Sequence, residues 1–99
     1  MLALVCSGRA VQTEPLQVQP NKWLFEVPPN VQHFAIFFTQ CPPPGYGAAI
    51  YHQSDTTDWS LLGCLTAERP SAIYKLSAGF DHVTRVGIDI EPVLNLNMS

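Results

Sequence analysis

The sequence predicts an all-β fold, an antiparallel sandwich or barrel of about seven or eight short strands. Three observations carry that expectation. Proline makes up 9 of the 99 residues, and its clusters at Pro28-Pro29, Pro42-Pro43-Pro44, Pro70 and Pro92 mark turns, because a helix interior rejects a residue with no N–H. No stretch between them places apolar residues at i, i+3, i+4 and i+7 with caps. What remains is a series of short β-prone runs, with turn signals every ~8–12 residues. A chain of 99 residues has room for one core and not for two.

The runs follow in order. Leu2–Cys6 is apolar throughout and reads as a buried first strand. Ala10–Val18 is a second strand region, with Ala10, Gln12 and Glu14 on one side and Val11 and Thr13 on the other. In Lys22–Val27, alternation puts Trp23, Phe25 and Val27 on one face and Lys22, Leu24 and Glu26 on the other. Phe34–Thr39 is a continuous apolar run, which fits a central strand covered on both faces. Cys41–Gly47 is a Pro/Gly loop, Ala48–His52 a short strand and Gln53–Asp58 a polar connection. Trp59–Thr66 is an apolar strand centred on Leu61, Leu62 and Leu65. A turn through Arg69-Pro70 leads to Ala72–Leu76. Arg85–Glu91 has the clearest period of two, with Val86, Ile88 and Ile90 facing in. Leu61, Leu62, Ile73, Val86, Ile88 and Ile90 are assigned to the core. Residues 1–92 form the domain, and residues 93–99 are a short tail, apolar enough to pack.

Charge and cysteine content narrow the function classes. Charged residues are 13% and the formal net charge is −3, and Arg9, Lys22, Arg69, Lys75 and Arg85 are scattered. Nucleic acid is therefore not an expected partner, since phosphate binding needs a basic stripe. No apolar run approaches the ~18 residues of a membrane span, and the apolar start lacks the cationic lead of a signal peptide. Cys6, Cys41 and Cys64, odd in number and widely spaced, predict free thiols in a reducing compartment.

Chemistry is sparse. Cys6, His33, Cys41, His52, Cys64 and His82 lack the close spacing of a zinc site, so no metal, no cofactor and no catalytic residue is expected. Asp89 and Glu91 share one strand face, where they read as its solvated side. Asp55 and Asp58 lie in a polar loop without the further ligands of a calcium site. Gly45-Tyr46-Gly47 is a turn, with no helix after it to receive a phosphate. The unusual feature is aromatic content. Phe34, Phe37 and Trp59 are expected in the core. A small sandwich cannot bury every ring, so some of Tyr46, Tyr51, Phe38 and Phe80 should surface, where aromatics anchor interfaces.

Three blocks carry a resemblance. They are Gly8-Arg9-Ala10-Val11-Gln12-Thr13 followed by Gln17-Val18 and Trp23-Leu24-Phe25-Glu26-Val27-Pro28, then Trp59-Ser60-Leu61-Leu62-Gly63-Cys64-Leu65-Thr66 running into Arg69-Pro70-Ser71-Ala72-Ile73-Tyr74-Lys75-Leu76-Ser77, and Val86-Gly87-Ile88-Asp89-Ile90-Glu91. In this order the chain resembles the N-terminal domain of the Hikeshi family. The resemblance implies a jelly-roll β-sandwich. It also implies a non-enzymatic nuclear import carrier that moves between cytoplasm and nucleus. Such a carrier binds seventy-kilodalton heat-shock chaperones and the Phe-Gly repeats of nucleoporins. Family members have a long Gly-rich loop after the strand matching Ile73–Ser77, reduced here to Ala78-Gly79-Phe80-Asp81-His82. They also continue into a helical C-terminal domain that supports dimerisation, whereas this sequence stops at Ser99. Phe80, Tyr46 and Tyr51 are the expected protein-binding residues. The alternative is a truncated or divergent paralogue that acts only as an interaction domain, dimerising through its apolar edge strand or the tail after Pro92, without transport activity.

Overall fold

The computed structural model describes residues 1–54, 59–76 and 80–96. These form eight strands: β1 (Leu2–Cys6), β2 (Leu16–Gln19), β3 (Lys22–Val27), β4 (His33–Phe38), β5 (Tyr46–Gln53), β6 (Ser60–Leu65), β7 (Ser71–Lys75) and β8 (Thr84–Pro92), followed by a 3-10 turn at Val93–Asn95. Every ladder is antiparallel. A three-stranded sheet has the order β1-β4-β7, and a five-stranded sheet the order β2-β3-β8-β5-β6. Apart from the hairpins β2–β3 and β5–β6, each connection carries the chain from one sheet to the other. That alternation is the jelly-roll route, which wraps both sheets round one core. No described helix is long and apolar enough to cross a membrane.

The core lies where the inner faces meet. Leu4, Phe25, Val27, Phe34, Ile36, Ile50, Leu65, Val86 and Ile88 are all buried, as alternation predicts for β3 and β8. Leu62 and Ile90 pack against this cluster half-buried. No described buried side-chain nitrogen or oxygen lacks a hydrogen-bond partner. No disulfide joins Cys6, Cys41 or Cys64. Cys6 is buried, which pushes its ionisation up against the opposing pull of Arg9.

Several expectations are corrected. The second strand is confined to Leu16–Gln19. Pro15 has no N–H to give a ladder, so the preceding segment makes only one bridge, Gln12 to Leu4. From there the Gln12 side chain donates to the Glu26 carbonyl at 2.9 Å, which ties β1 to β3 across the open side of the sandwich. β5 starts at Tyr46, inside the predicted loop, because Gly45 ends the turn at φ +88 and Tyr46 pairs with Pro92. β4 is central to its sheet but covered on one side only. Phe34 and Ile36 are buried, while Ala35 and Phe37 on the other face are half-buried.

Three residues placed in the core by sequence lie outside it: Trp59 is 41% exposed, Leu61 50% and Ile73 76%. Ile73 follows from the period of β7, where Ala72 and Tyr74 turn inward and the odd positions turn out. Leu61 follows from a β-bulge. Ile50 pairs with Gly63 and Tyr51 with Leu61, so Leu62 is an extra residue on β6. One extra residue reverses the alternation beyond it, and Leu61 swings from the core to the outer face.

Candidate protein-binding groove

The outer face of the five-stranded sheet is organised by register. Leu16 stands opposite Leu24, Leu24 opposite Gly87, Gly87 opposite Tyr51, and Tyr51 opposite Leu61. One transverse row therefore crosses all five strands. It is apolar except for the Tyr51 hydroxyl, and glycine sits at its centre. Leu16 at one end is 66% exposed, and Leu61 closes the other. Trp59, just before β6, reaches across β5 and lays its six-membered ring over Gly87. A side-chain carbon at Gly87 would meet the Trp59 ring at 3.1–3.5 Å. The missing side chain is what lets the indole lie flat on the strand.

The result is a groove of about 510 Å³ lined by Val18, Leu24, Tyr51, Trp59 and Gly87, with Lys22 and Asp89 at its rim. Those two form an ion pair of 3.9 Å, and Asn21 Nδ2 donates to Asp89 Oδ1 at 3.0 Å. Asp89 is thus half-buried at the rim, and Glu91, two residues along β8, is also half-buried rather than fully solvated. Burial raises the Tyr51 phenol above its ordinary range, and the charges of Glu91 and Asp89 add to the effect. Tyr51 therefore presents a neutral ring and a hydroxyl donor at physiological pH. Among the described residues no three His, Cys, Asp or Glu side chains converge as a metal site would require. The arrangement can do one thing well: take up apolar side chains, rings above all, on a surface that offers stacking and few fixed charges.

The three residues expected to bind protein are dispersed. Tyr51 lines the groove. Tyr46 lies at the far end of β5 with odd sequence separation from Tyr51, so it belongs to the other face, and it is exposed. Phe80 packs half-buried against the core, its ring 5.4 Å from His52 and 5.8 Å from His82. The Asn30 amide donates to the Phe80 carbonyl at 2.6 Å, and His82 Nε2 bonds the Ser54 carbonyl at 2.6 Å. Ala78 and Gly79 of the shortened loop, and the Asp55 and Asp58 positions, lie outside the described residues. Sequence reasoning missed Leu16, Val18, Trp59, Leu61 and Gly87 as a group. One signal was present: Leu16-Gln17-Val18-Gln19 alternates apolar and polar residues, all four are exposed, and with Val18 as an extra residue between Gln17 and Gln19 this strand still delivers Val18 to the groove.

The tail returns to the sheet. The Val93 amide donates to the Gly45 carbonyl at 2.7 Å. A side-chain carbon at Gly47 would lie 2.8 Å from Leu96 Cδ1, so Leu96 covers the start of β5.

Comparison with known proteins agrees with this architecture. Residues 5–82 match the model of the Hikeshi-like N-terminal domain. Protein Hikeshi of Gallus gallus is 34% identical over 121 aligned positions, which take in 97% of this chain and 61% of that protein. The OPI10 homologs of Aedes aegypti and Schizosaccharomyces pombe are 29% and 31% identical, over 96% of this chain and 62% and 54% of their own lengths. The chain thus spans between half and two thirds of these relatives. The alignment with the Gallus gallus protein has more positions than this chain has residues, so that relative carries additional residues within the matched stretch. A match over most of the chain, together with these relatives, shows that the chain belongs to the Hikeshi-like family and corresponds to its N-terminal domain.

Proposed function

We propose that this chain is the non-enzymatic binding module of a nuclear import carrier, working between cytoplasm and nucleus. In this reading its groove receives the apolar rings of nucleoporin Phe-Gly repeats, and seventy-kilodalton heat-shock chaperones are its cargo. The observation that supports the reading is the transverse row Leu16–Leu24–Gly87–Tyr51–Leu61 capped by Trp59. A Phe ring on a flexible polar chain needs a shallow apolar seat with a weak, renewable contact. A half-exposed indole beside a half-buried tyrosine supplies one. Tyr46 and Phe80 enter the proposal as separate contact points, since a repeat chain meets its carrier at several places and gains from each.

Retention on immobilised Phe-Gly repeats tests the reading. The chain should be retained at high micromolar concentration, and Trp59→Ala together with Tyr51→Ala should abolish retention while the fold persists. No retention of the unaltered chain would sink the Phe-Gly assignment. A second reading, an interaction domain that forms homodimers, is favoured by β2, a terminal strand whose outer edge has no ladder partner among the described residues and which therefore offers backbone groups for pairing. Sedimentation equilibrium separates the two: a stable dimer with no affinity for Phe-Gly repeats supports the second.

A further inference from the structure

The opposite outer face, that of the three-stranded sheet, has different chemistry. Leu2, Leu4, Cys6, Phe34 and Ile36 are buried inward, so alternation sends Val5, Ala35 and Ile73 outward. Val5 stands opposite Ala35, and Ala35 opposite Ile73. Leu4 and Gln12 exchange backbone hydrogen bonds of 2.9 and 2.7 Å, which places Val11, one residue earlier, beside Val5. An aliphatic row thus crosses the sheet, exposed at both ends through Val11 and Ile73.

The neighbouring row is basic. His33 pairs with Lys75, and both are exposed on the same outer side. The Ser7 amide donates to the His33 carbonyl, and the Arg9 amide to the Cys6 carbonyl. The turn after β1 therefore brings Arg9 to this end of the sheet, close enough for its charge to act on Cys6. No Asp or Glu occurs in β1, β4 or β7. Among the described residues Arg9, His33 and Lys75 form no ion pair. In a chain with eight acids against five Lys and Arg, a sheet whose three strands hold no carboxylate, with Lys75 and Arg9 unpaired at one end, is a marked asymmetry.

We propose that this face docks an extended acidic–apolar peptide segment. An aliphatic side chain of the segment would lie on Val5, Ala35 and Ile73, and a carboxylate would lie one row away, at Lys75 and Arg9. Charge complementarity selects this occupant. A second copy packed symmetrically through the same face would set these cations against their own kind, and the aliphatic row is small against the ~800 Å² a side that a stable dimer buries. A nucleic-acid strand would lay its phosphates over the aliphatic row. This inference does not rest on the groove, which occupies the other sheet.

The test is titration of the whole chain into a labelled peptide of about eight residues alternating Leu and Glu, beside a Leu–Lys peptide of equal length. The Leu–Glu probe should bind with a Kd of about 100 µM. Affinity should fall at least about five-fold in Lys75→Glu and in Ile73→Ser, and also when salt is raised from about 50 to about 500 mM. Excess Phe-Gly repeat peptide should leave the probe bound. Ile73 is exposed enough that the Ser variant should fold, and circular dichroism checks it. The proposal is overturned by any of four results: no saturable binding up to about 1 mM, equal binding of the Leu–Lys probe, indifference to Lys75→Glu, or displacement by the Phe-Gly peptide. A concentration-dependent dimer that Ile73→Ser dissolves would also overturn it, because the occupant would then be a second copy.

Discussion

Gly63 and Gly87 belong to the same sheet, and each has an aromatic ring where a side chain would be. At Gly63 the ring comes from inside. A side-chain carbon there would lie 2.5 Å from the Tyr74 hydroxyl oxygen, so the tyrosine of β7 spans the sandwich and fills the notch, with its other side against Phe34 at a centroid distance of 5.7 Å. At Gly87 the ring comes from outside, and Trp59 keeps 41% of its surface in solvent. The same device thus serves two ends. An inner notch locks the sheets together, because the ring that fills it has nowhere else to go. An outer notch holds a ring that stays available to a partner. Burial of the ring, not the glycine, separates structure from recognition.

The contrast is broken most severely from the inside. Tyr74→Ala removes the ring that joins β7 to β6 and leaves a void beside Phe34, and should cost about 3 kcal/mol, read as a lowered urea midpoint. Gly63→Val forces a branched side chain into occupied space and should cost about 2 kcal/mol. If either variant stays within about 0.5 kcal/mol of the parent, the inner notch is not a lock. Burial also raises the Tyr74 phenol above its ordinary range, with a smaller contribution from Cys64, so no titration of this residue complicates the comparison near neutral pH.

The outer notch should respond in the opposite way. Trp59→Ala should change stability by less than about 1 kcal/mol, since the ring is only partly withdrawn from water, yet weaken Phe-Gly binding about ten-fold. Gly87→Val should act alike by lifting the indole off the strand, visible as a red shift of tryptophan emission. A stability loss as large as that of Tyr74→Ala would erase the distinction between the two notches.

How much of this was legible in the sequence follows from the same geometry. Alternation in Lys22–Val27 and Arg85–Glu91 gave the inner faces of β3 and β8 correctly, because period two needs no partner to be read. Leu61 was misplaced because its direction depends on the Leu62 bulge, and a bulge is decided by pairing between strands, which a single run does not encode. Trp59 was misplaced for a related reason. Its seat is a glycine two strands away, and only the register β6-β5-β8 brings them together. Ile73 was assigned inward on hydrophobicity, although Tyr74 beside it is the residue that turns in. Hydrophobicity predicted that apolar residues cluster; it did not say on which side of the sheet. Of the residues at the groove, alternation already turns Gly87 outward and surplus aromatic content puts Tyr51 among the rings expected to surface, whereas Trp59 and Leu61 are expected in the core.

The smallest expected effect sharpens the picture at the end of the inner face, where a polar group replaces an aromatic lock. His52 is buried on β5, shares a hydrogen bond of 3.0 Å between its Nε2 and Thr84 Oγ1, and lies against the Phe80 ring. Burial alone lowers its ionisation below the ordinary 6.5. The unfolded chain therefore takes up this proton at a higher pH than the folded one. Above about pH 6.5 the group is neutral in both states and contributes no pH dependence. As the pH falls below that value the unfolded state gains protons first, and stability should decline by at most about 1.4 kcal/mol per pH unit until the folded pKa is passed. The Asp81 carboxylate is held below its ordinary 3.8 chiefly by its hydrogen bond to His82, so its own contribution is lost only as the pH falls below about 3.8. Urea midpoints at stepwise pH values between neutrality and the acid range read the slope. His52→Gln, which keeps a hydrogen-bonding group toward Thr84 and removes the titration, should flatten it. A slope that survives this substitution would assign the sensitivity elsewhere, and Phe80 would then owe its seat to packing rather than to a neutral histidine.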